Sequence, residues 1–182
     1  LSVPGVTPDD CYPVRAYLGM AMTDRALEAA QERGLEVQVL SYGRVGSVQE
    51  AAEACGVEVA DVVKTLVVRR SEDDYVLVLV PGDRSLSWKK VRALLGVSRI
   101  SLPDAGLARQ VTGYERGTIT PLGLDLPVIA DERIAGRLIT LGSGVHGRAV
   151  AIDADAVIAA YRAIVADITD DSGADAAPPR SS

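Results

Sequence analysis

The densest apolar stretches of the chain are "VVKTLVVRR", residues 62–70, and "YVLVLVPG", residues 75–82, divided by the polar turn "SEDD". Successive side chains of an extended segment point to opposite faces, so Val62, Lys64, Leu66 and Val68 share one side and Val63, Thr65 and Val67 the other. Both sides are apolar, which predicts strands covered on both faces. Lys64, one of only three lysines in the chain, is therefore expected inside the protein or at the mouth of a cavity. An unpaired ammonium there costs on the order of several kcal/mol, so something must compensate it.

Upstream, Leu18, Met22, Ala26 and Ala29 recur at helical spacing within residues 14–32, with Gly34 as the stop. "LEVQVLSY", residues 35–42, alternates as a strand. "SVQEAAEACG" follows as a helix, with Ser47 and Glu50 forming a capping box and Gly56 ending it. Downstream, a helix over residues 87–95 stops at Gly96, the short strand "SRISL" succeeds it, and residues 103–110 make one or two helical turns. "LPVIAD", "RLITLG" and "GRAVAI" read as three further strands, and Asp153 caps a last helix through Ala166. Strands outnumber helices and do not alternate regularly with them. The pattern therefore predicts a mixed α/β protein, a curved, barrel-like mixed sheet surrounded by helices. Residues 1–10 and the acidic, proline-containing end from Asp167 onward are expected to be loose.

Composition narrows the function classes. A chain of 182 residues builds one domain with a proper core, and its net charge of -6 argues against coating nucleic acid through bulk electrostatics. Residues 84–103 nonetheless carry Arg84, Lys89, Lys90, Arg92 and Arg99 without an acid, which suits either a solvated helix face or a local patch for a phosphate backbone. Cys11 and Cys55 have no metal-like or disulfide-framework spacing, and the single histidine, His146, excludes a multi-histidine metal centre. No apolar run reaches membrane-spanning length and the first residues lack a signal-peptide profile, so a cytoplasmic location is expected.

Several chemistries fail on spacing. "GSGVHG", residues 142–147, matches GxGxxG in spacing but joins two predicted strands instead of opening a helix, neither GxxxxGK[ST] nor GxSxG occurs, and no clustered acids interrupt the apolar segments. What remains is an interior lysine and two glycine-rich loops. "GYERGTITPLG", residues 113–123, reads either as a wide structural turn or as a pocket wall where glycine lets the backbone approach a ligand. "LGSGVHG", residues 141–147, is a hairpin signal whose N–H groups also suit an anion or a developing oxyanion. Tyr42 and Asp131 each end a strand, the first as a rim aromatic, the second as a cap for the following turn.

In combination, "KTLVV", "VPGDRSLSWKKVRALLG", "TGYERGTITPLG", "LPVIAD" and "GSGVHG" resemble the YbaK-like aminoacyl-tRNA editing domains, which occur inside bacterial prolyl-tRNA synthetases and as free-standing deacylases. The resemblance runs over residues 34–161. It implies a curved mixed sheet with surrounding helices, and hydrolysis, without metal or other cofactor, of the ester joining a wrong amino acid to a tRNA 3′ end. It assigns Lys64 as the functional lysine. It places Tyr42, Gly117, Thr118, Thr120, Pro121, Gly123, Asp131, Gly142, Ser143, Gly144 and His146 at the substrate. Thr118 and Thr120 stand where many relatives have glycine and serine, Gly142 where free-standing cysteine-specific members often have serine, and His146 where they have a basic residue.

The expected organisation is an N-terminal extension and helix over 1–33, an editing domain over 34–166 and an acidic tail over 167–182. The expected function is trans-editing of tRNA(Pro) carrying a small amino acid such as Cys or Ala. Its partners would be the aminoacyl-tRNA 3′ end and a synthetase, with no membrane and an open oligomeric state. A non-catalytic binding module of the same fold and a hydrolase of unrelated small acyl esters are the alternatives.

Overall fold

The computed structural model describes residues 25–43 and 45–172. Eight residues of the expected N-terminal helix form α1 (Arg25–Glu32), while Leu18 and Met22 lie outside the described residues. The elements that follow are β1 (Val37–Ser41), α2 (Val48–Cys55), β2 (Val63–Ser71), β3 (Asp74–Pro81), β4 (Arg84–Leu86), α3 (Trp88–Leu95), α4 (Ala105–Thr112), β5 (Val128–Asp131), β6 (Leu138–Gly142), β7 (Arg148–Asp153), α5 (Ala154–Tyr161), β8 (Ile164–Ala166) and β9 (Thr169–Asp171). Single 3₁₀ turns at Val59–Asp61 and Glu132–Ile134 precede β2 and follow β5.

The mixed sheet β2-β3-β5-β8 is the centre of the molecule. β2 and β3 pair antiparallel, whereas β3 with β5 and β5 with β8 pair parallel. β3 reads "DYVLVLVP", and its alternation sorts two cores: Tyr75, Leu77 and Leu79 join the larger cluster, Val76, Val78 and Val80 the smaller one under α3. The antiparallel sheet β1-β7-β6 supplies Leu141, Val150 and Ile152 to the larger core, and β4 pairs with β9 in a two-stranded ribbon.

The expected barrel does not close. β2 is an outer strand of its sheet; the residue just before it, Val62, bridges to Thr140 of β6, and near its far end Arg69 bridges to Ser101, with no further β-bridge on that edge among the described residues. At the other edge β8 is three residues long, with Ile164 and Val165 exposed. Closure requires the two outer strands to pair along their length, and neither does.

Other differences have local causes. "SRISL" supplies one bridge rather than a strand, since only Ile100 of it is buried and Pro103 follows. The last helix ends at Tyr161, where Arg162 adopts a left-handed conformation, and its expected continuation becomes β8 beside β5. Ser47 caps α2 as predicted, but Glu50 returns its carboxylate to the N–H of Gly46, one residue earlier than a capping box requires. Residues 167–172, expected to be loose, hold Ile168 wholly buried and form β9. α1 likewise buries Ala26 and Ala30 in the larger core.

Candidate functional site

A cavity of about 660 Å³ opens between the two larger sheets. Its walls are β2, the start of α2, the end of β6, the residues leading into α4, and the loop after α4. Of the residues singled out by sequence, Tyr42, Lys64, Gly117 and Gly142 line it.

Lys64 sits half-buried on β2. Its Nζ donates to the carbonyl oxygens of Gly82 at 3.3 Å, in the turn between β3 and β4, and of Arg84 at 2.5 Å, at the start of β4. Burial pushes its pKa below the ordinary lysine value, and the nearby Asp83 partly offsets this. The sequence demanded a compensating group for this ammonium, and the structure supplies two neutral carbonyl dipoles. Two of the three N–H donors are thereby engaged, which leaves one for a ligand. The turn itself needs Gly82, because a Cβ there would overlap the carbonyl oxygens of Val59 and Val62.

Behind this turn lies Asp131, and it does not reach the cavity. It is wholly buried and accepts from Arg133, from the Ile168 N–H at 3.2 Å and from Thr169 Oγ1 at 2.8 Å. Thr169 Oγ1 in turn accepts from Arg84 Nε at 2.7 Å, and Arg84 carries one of the carbonyls that hold Lys64. The expected substrate contact is thus a buried brace, as the alternative reading of Asp131 as a cap foresaw: it binds the β5 end to β9 and, through Arg84, to the lysine's cradle.

The two glycine-bearing loops pack on each other. Gly144 N–H donates to the Thr118 carbonyl at 2.9 Å, and a Cβ on Gly142 would collide with the carbonyls of Thr118 and Ile119. Thr118 spends its hydroxyl on the Glu115 carbonyl, Thr120 is wholly buried with its hydroxyl accepting from Leu122 N–H, and Pro121 is buried beside it. Gly123 lies under Arg25 and the Tyr114 hydroxyl. Ser143 turns its hydroxyl to the carbonyls of Val145 and Arg148, and Gly144 lies against the Tyr114 ring. His146 is exposed and pairs with Glu115 at 3.1 Å. Of the expected substrate residues in these loops Gly117 and Gly142 line the cavity, whereas Thr118, Thr120, Pro121, Gly123, Ser143, Gly144 and His146, like Asp131, do not.

Sequence reasoning passed over Thr65, Arg116 and Asp104, all on the cavity wall. Thr65 stood inside the quoted "KTL" but was assigned to a core face, and Arg116 stood inside the quoted loop between two glycines. The basic run fares differently: Arg84 pairs with Asp171, and Lys90 with Asp167 and Asp170, so two of its five cations serve the fold. Tyr42 donates its hydroxyl to the Arg148 carbonyl at 3.3 Å, and burial raises its pKa, Cys55 adding to the effect.

No helix among the described residues is long and apolar enough to cross a membrane. A family model described as an aminoacyl-tRNA editing domain matches residues 43–160. A proline–tRNA ligase of Thermosipho melanesiensis is 32% identical over 108 residues, 59% of this chain and 19% of that protein. One of Geobacter metallireducens is 32% identical over 145 residues, 76% of this chain and 25% of that protein. The chain thus spans a quarter or less of the length of these relatives. A solved structure of a proposed trans-editing enzyme for prolyl tRNA synthetase superimposes with a TM-score of 0.74 at 27% identity, covering 84% of this chain and 99% of that one. The hypothetical protein APE2540 does so with a TM-score of 0.75 at 27% identity, covering 80% and 99%. By sequence and by fold, this chain belongs to the aminoacyl-tRNA editing domain family.

Proposed function

We propose that the protein is an aminoacyl-tRNA deacylase acting in trans, which hydrolyses the ester of tRNA(Pro) mischarged with a small amino acid such as Cys or Ala. The observation that carries this reading is the meeting of Lys64, Gly117 and Gly142 on one cavity of about 660 Å³, a size suited to a small ligand. Lys64 directs its remaining N–H to the ribose–phosphate end and orients the ester. Arg116, exposed at the cavity wall, meets the flanking phosphate. Main-chain groups at Gly117 and Gly142 hold the ester carbonyl and the attacking water.

The reaction asks little of side chains. An aminoacyl ester is an activated acyl group: water adds to its carbonyl, the bond to the ribose oxygen breaks, and that oxygen takes up a proton as the amino acid leaves. Positioning and oxyanion stabilisation supply the acceleration. Direct attack by water is the simpler route, since none of the described wall residues is a histidine and Asp104 uses its carboxylate to cap α4 through Leu107 N–H. The biological need follows from energetics: a synthetase pocket separates amino acids differing by one methylene by only about 1–3 kcal/mol, so a second hydrolytic site restores accuracy. The prolyl-tRNA ligase relatives make such a synthetase the natural partner.

The test is deacylation of tRNA(Pro) charged with Ala, Cys or Ser, and of tRNA charged with Thr. Ester loss from one of them, abolished by Lys64→Ala, is the expected result. Binding without ester loss would make the protein a binding module, and hydrolysis of simple acyl esters alone would remove it from editing.

A further inference from the structure

We propose that the open edge of β2 is the seat of the substrate's aminoacyl group, with Thr65 as its recognition residue. This rests on the deacylase reading above and adds to it the end of the ligand that Lys64 does not hold.

The strand's hydrogen-bond phase fixes which groups are free. Arg69 exchanges both backbone bonds with Ser101 on the side of β2 away from β3. Backbone groups alternate sides along a strand, so Thr65 and Val67 point the same way as Arg69, while Lys64, Leu66 and Val68 face Val80, Val78 and Val76 of β3. The Leu77 N–H, donated to Pro127 on the other side of β3, agrees with this phase. Outward-facing groups are capped at one end of β2 by Thr140 and at the other by Ser101. Between those bridges, no backbone partner reaches Thr65 or Val67 among the described residues.

That open stretch is the cavity wall. Six consecutive residues, 62–67, line it. Side chains of a strand alternate between faces, so an unbroken run of lining residues means that the edge itself, not one face, looks into the cavity. Thr65 adds an independent sign: it is 9% exposed, and its Oγ1 is buried with no hydrogen-bond partner. Buried hydroxyls in native proteins are almost always bonded, and an unbonded one on a cavity wall marks a place for a ligand's polar atom.

The occupant follows from the chemistry on offer. An aminoacyl group carries the same N–Cα–C=O unit as a strand residue, so it matches an edge that presents N–H and C=O groups at strand spacing. Its α-ammonium donates to the outward carbonyls and to Thr65 Oγ1, while its ester carbonyl stays with the main-chain groups at Gly117 and Gly142 on the facing wall. Lys64 precedes Thr65 in the chain but turns its amine to Gly82 and Arg84, so the ester lies between the two holds.

The experiment compares tRNA(Pro) carrying alanine with the same tRNA carrying lactate, which replaces the ammonium by a hydroxyl. Wild-type protein is expected to hydrolyse the alanyl ester at least tenfold faster in kcat/KM, and Thr65→Val, isosteric and lacking only the unpartnered hydroxyl, is expected to erase most of that preference with an unchanged Tm. Equal rates on both esters in the wild type, or a preference kept by Thr65→Val, would overturn the proposal. Should no ester be cleaved at all, 3′-alanylamino-3′-deoxyadenosine and its lactoyl counterpart serve as probes in amide NMR. Shifts at Thr65 and Val67 with the first and not the second would support the edge seat while the deacylase reading falls. Shifts elsewhere only, or no binding, would end the edge seat as well.

Discussion

Two walls of one cavity are built on opposite plans. On β2, a regular strand presents a charged side chain and open backbone groups to the cavity, and the support comes from behind, through Gly82, Arg84, Thr169 and Asp131. On the facing side, the loops over 113–123 and 142–147 expose main chain at Gly117 and Gly142 and turn the hydroxyls of Thr118, Thr120 and Ser143 inward to hold the loops' own backbone. A strand gets its backbone order from the ladder and can spend side chains on a ligand. A loop has no ladder, so its hydroxyls go to satisfying its own carbonyls and N–H groups. Polar residues among glycines therefore signal a braced loop more reliably than a ligand contact.

The largest expected effect tests the brace behind the strand wall. Asp131→Ala leaves Arg133, the Ile168 N–H and Thr169 Oγ1 without their buried acceptor, and denaturant unfolding should show a loss of about 3–5 kcal/mol. Asp131→Asn, which keeps acceptor oxygen, should recover part of it. At a temperature where the variants remain folded, KM for charged tRNA should be unchanged. A raised KM would mean that Asp131 touches substrate and would break the contrast.

Next in size is the lysine itself. Lys64→Ala should lower deacylation kcat/KM by about a hundredfold, close to 2.7 kcal/mol, while stability moves little because a partly desolvated ammonium is removed with it. Because burial holds its pKa below the ordinary lysine value, the wild-type rate should begin to fall at a pH lower than that at which an exposed lysine titrates. On the opposite wall, Thr118→Val should cost about 1 kcal/mol of stability through the lost bond to Glu115 and leave kcat/KM nearly unchanged. Equal losses of activity in the two variants would erase the difference between the walls.

A smaller effect probes how tightly the loops lock. Gly144 has φ +86° and its missing Cβ faces the Tyr114 ring, so Gly144→Ala should destabilise by about 1–3 kcal/mol in thermal unfolding, with activity falling only as the loop pair loosens.

The same contrast explains what the sequence could reveal. Periodicity located β2, β3 and both glycine loops, because apolar runs and Gly/Pro clusters are local signals. It also placed an ammonium on a cavity wall, since a lysine in a run covered on both faces has few other places to be. The buried bonding of Asp131 was not legible, because nothing local shows that Thr169, 38 residues away, returns to it. β8 was absorbed into the preceding helix because Ile164 and Val165 gain their strand character only from β5. Thr65 was hidden by its own alternation: the side chain reads as core, while the functional feature is the edge, which depends on where neighbouring strands stop.

The smallest effect lies at the outer end of the brace, where Asp167 pairs with Lys90 and Arg133. Those cations hold its carboxyl at about 2, against an ordinary 3.8. The unfolded chain then binds more protons between these values, so the pair's contribution is complete above the ordinary value and disappears as pH falls towards 2. With Asp167 41% exposed, solvent screening limits it to about 1 kcal/mol or less. Asp167→Asn should therefore lower Tm slightly at neutral pH, match the wild type near pH 2, and lose its difference in high salt. Deacylation should not change, because Asp131 still holds Ile168 and Thr169 from inside. If activity fell with this surface pair, the cradle of Lys64 would be supported from the rim rather than from the buried carboxylate, and the strand wall would owe its order to solvent-exposed charges.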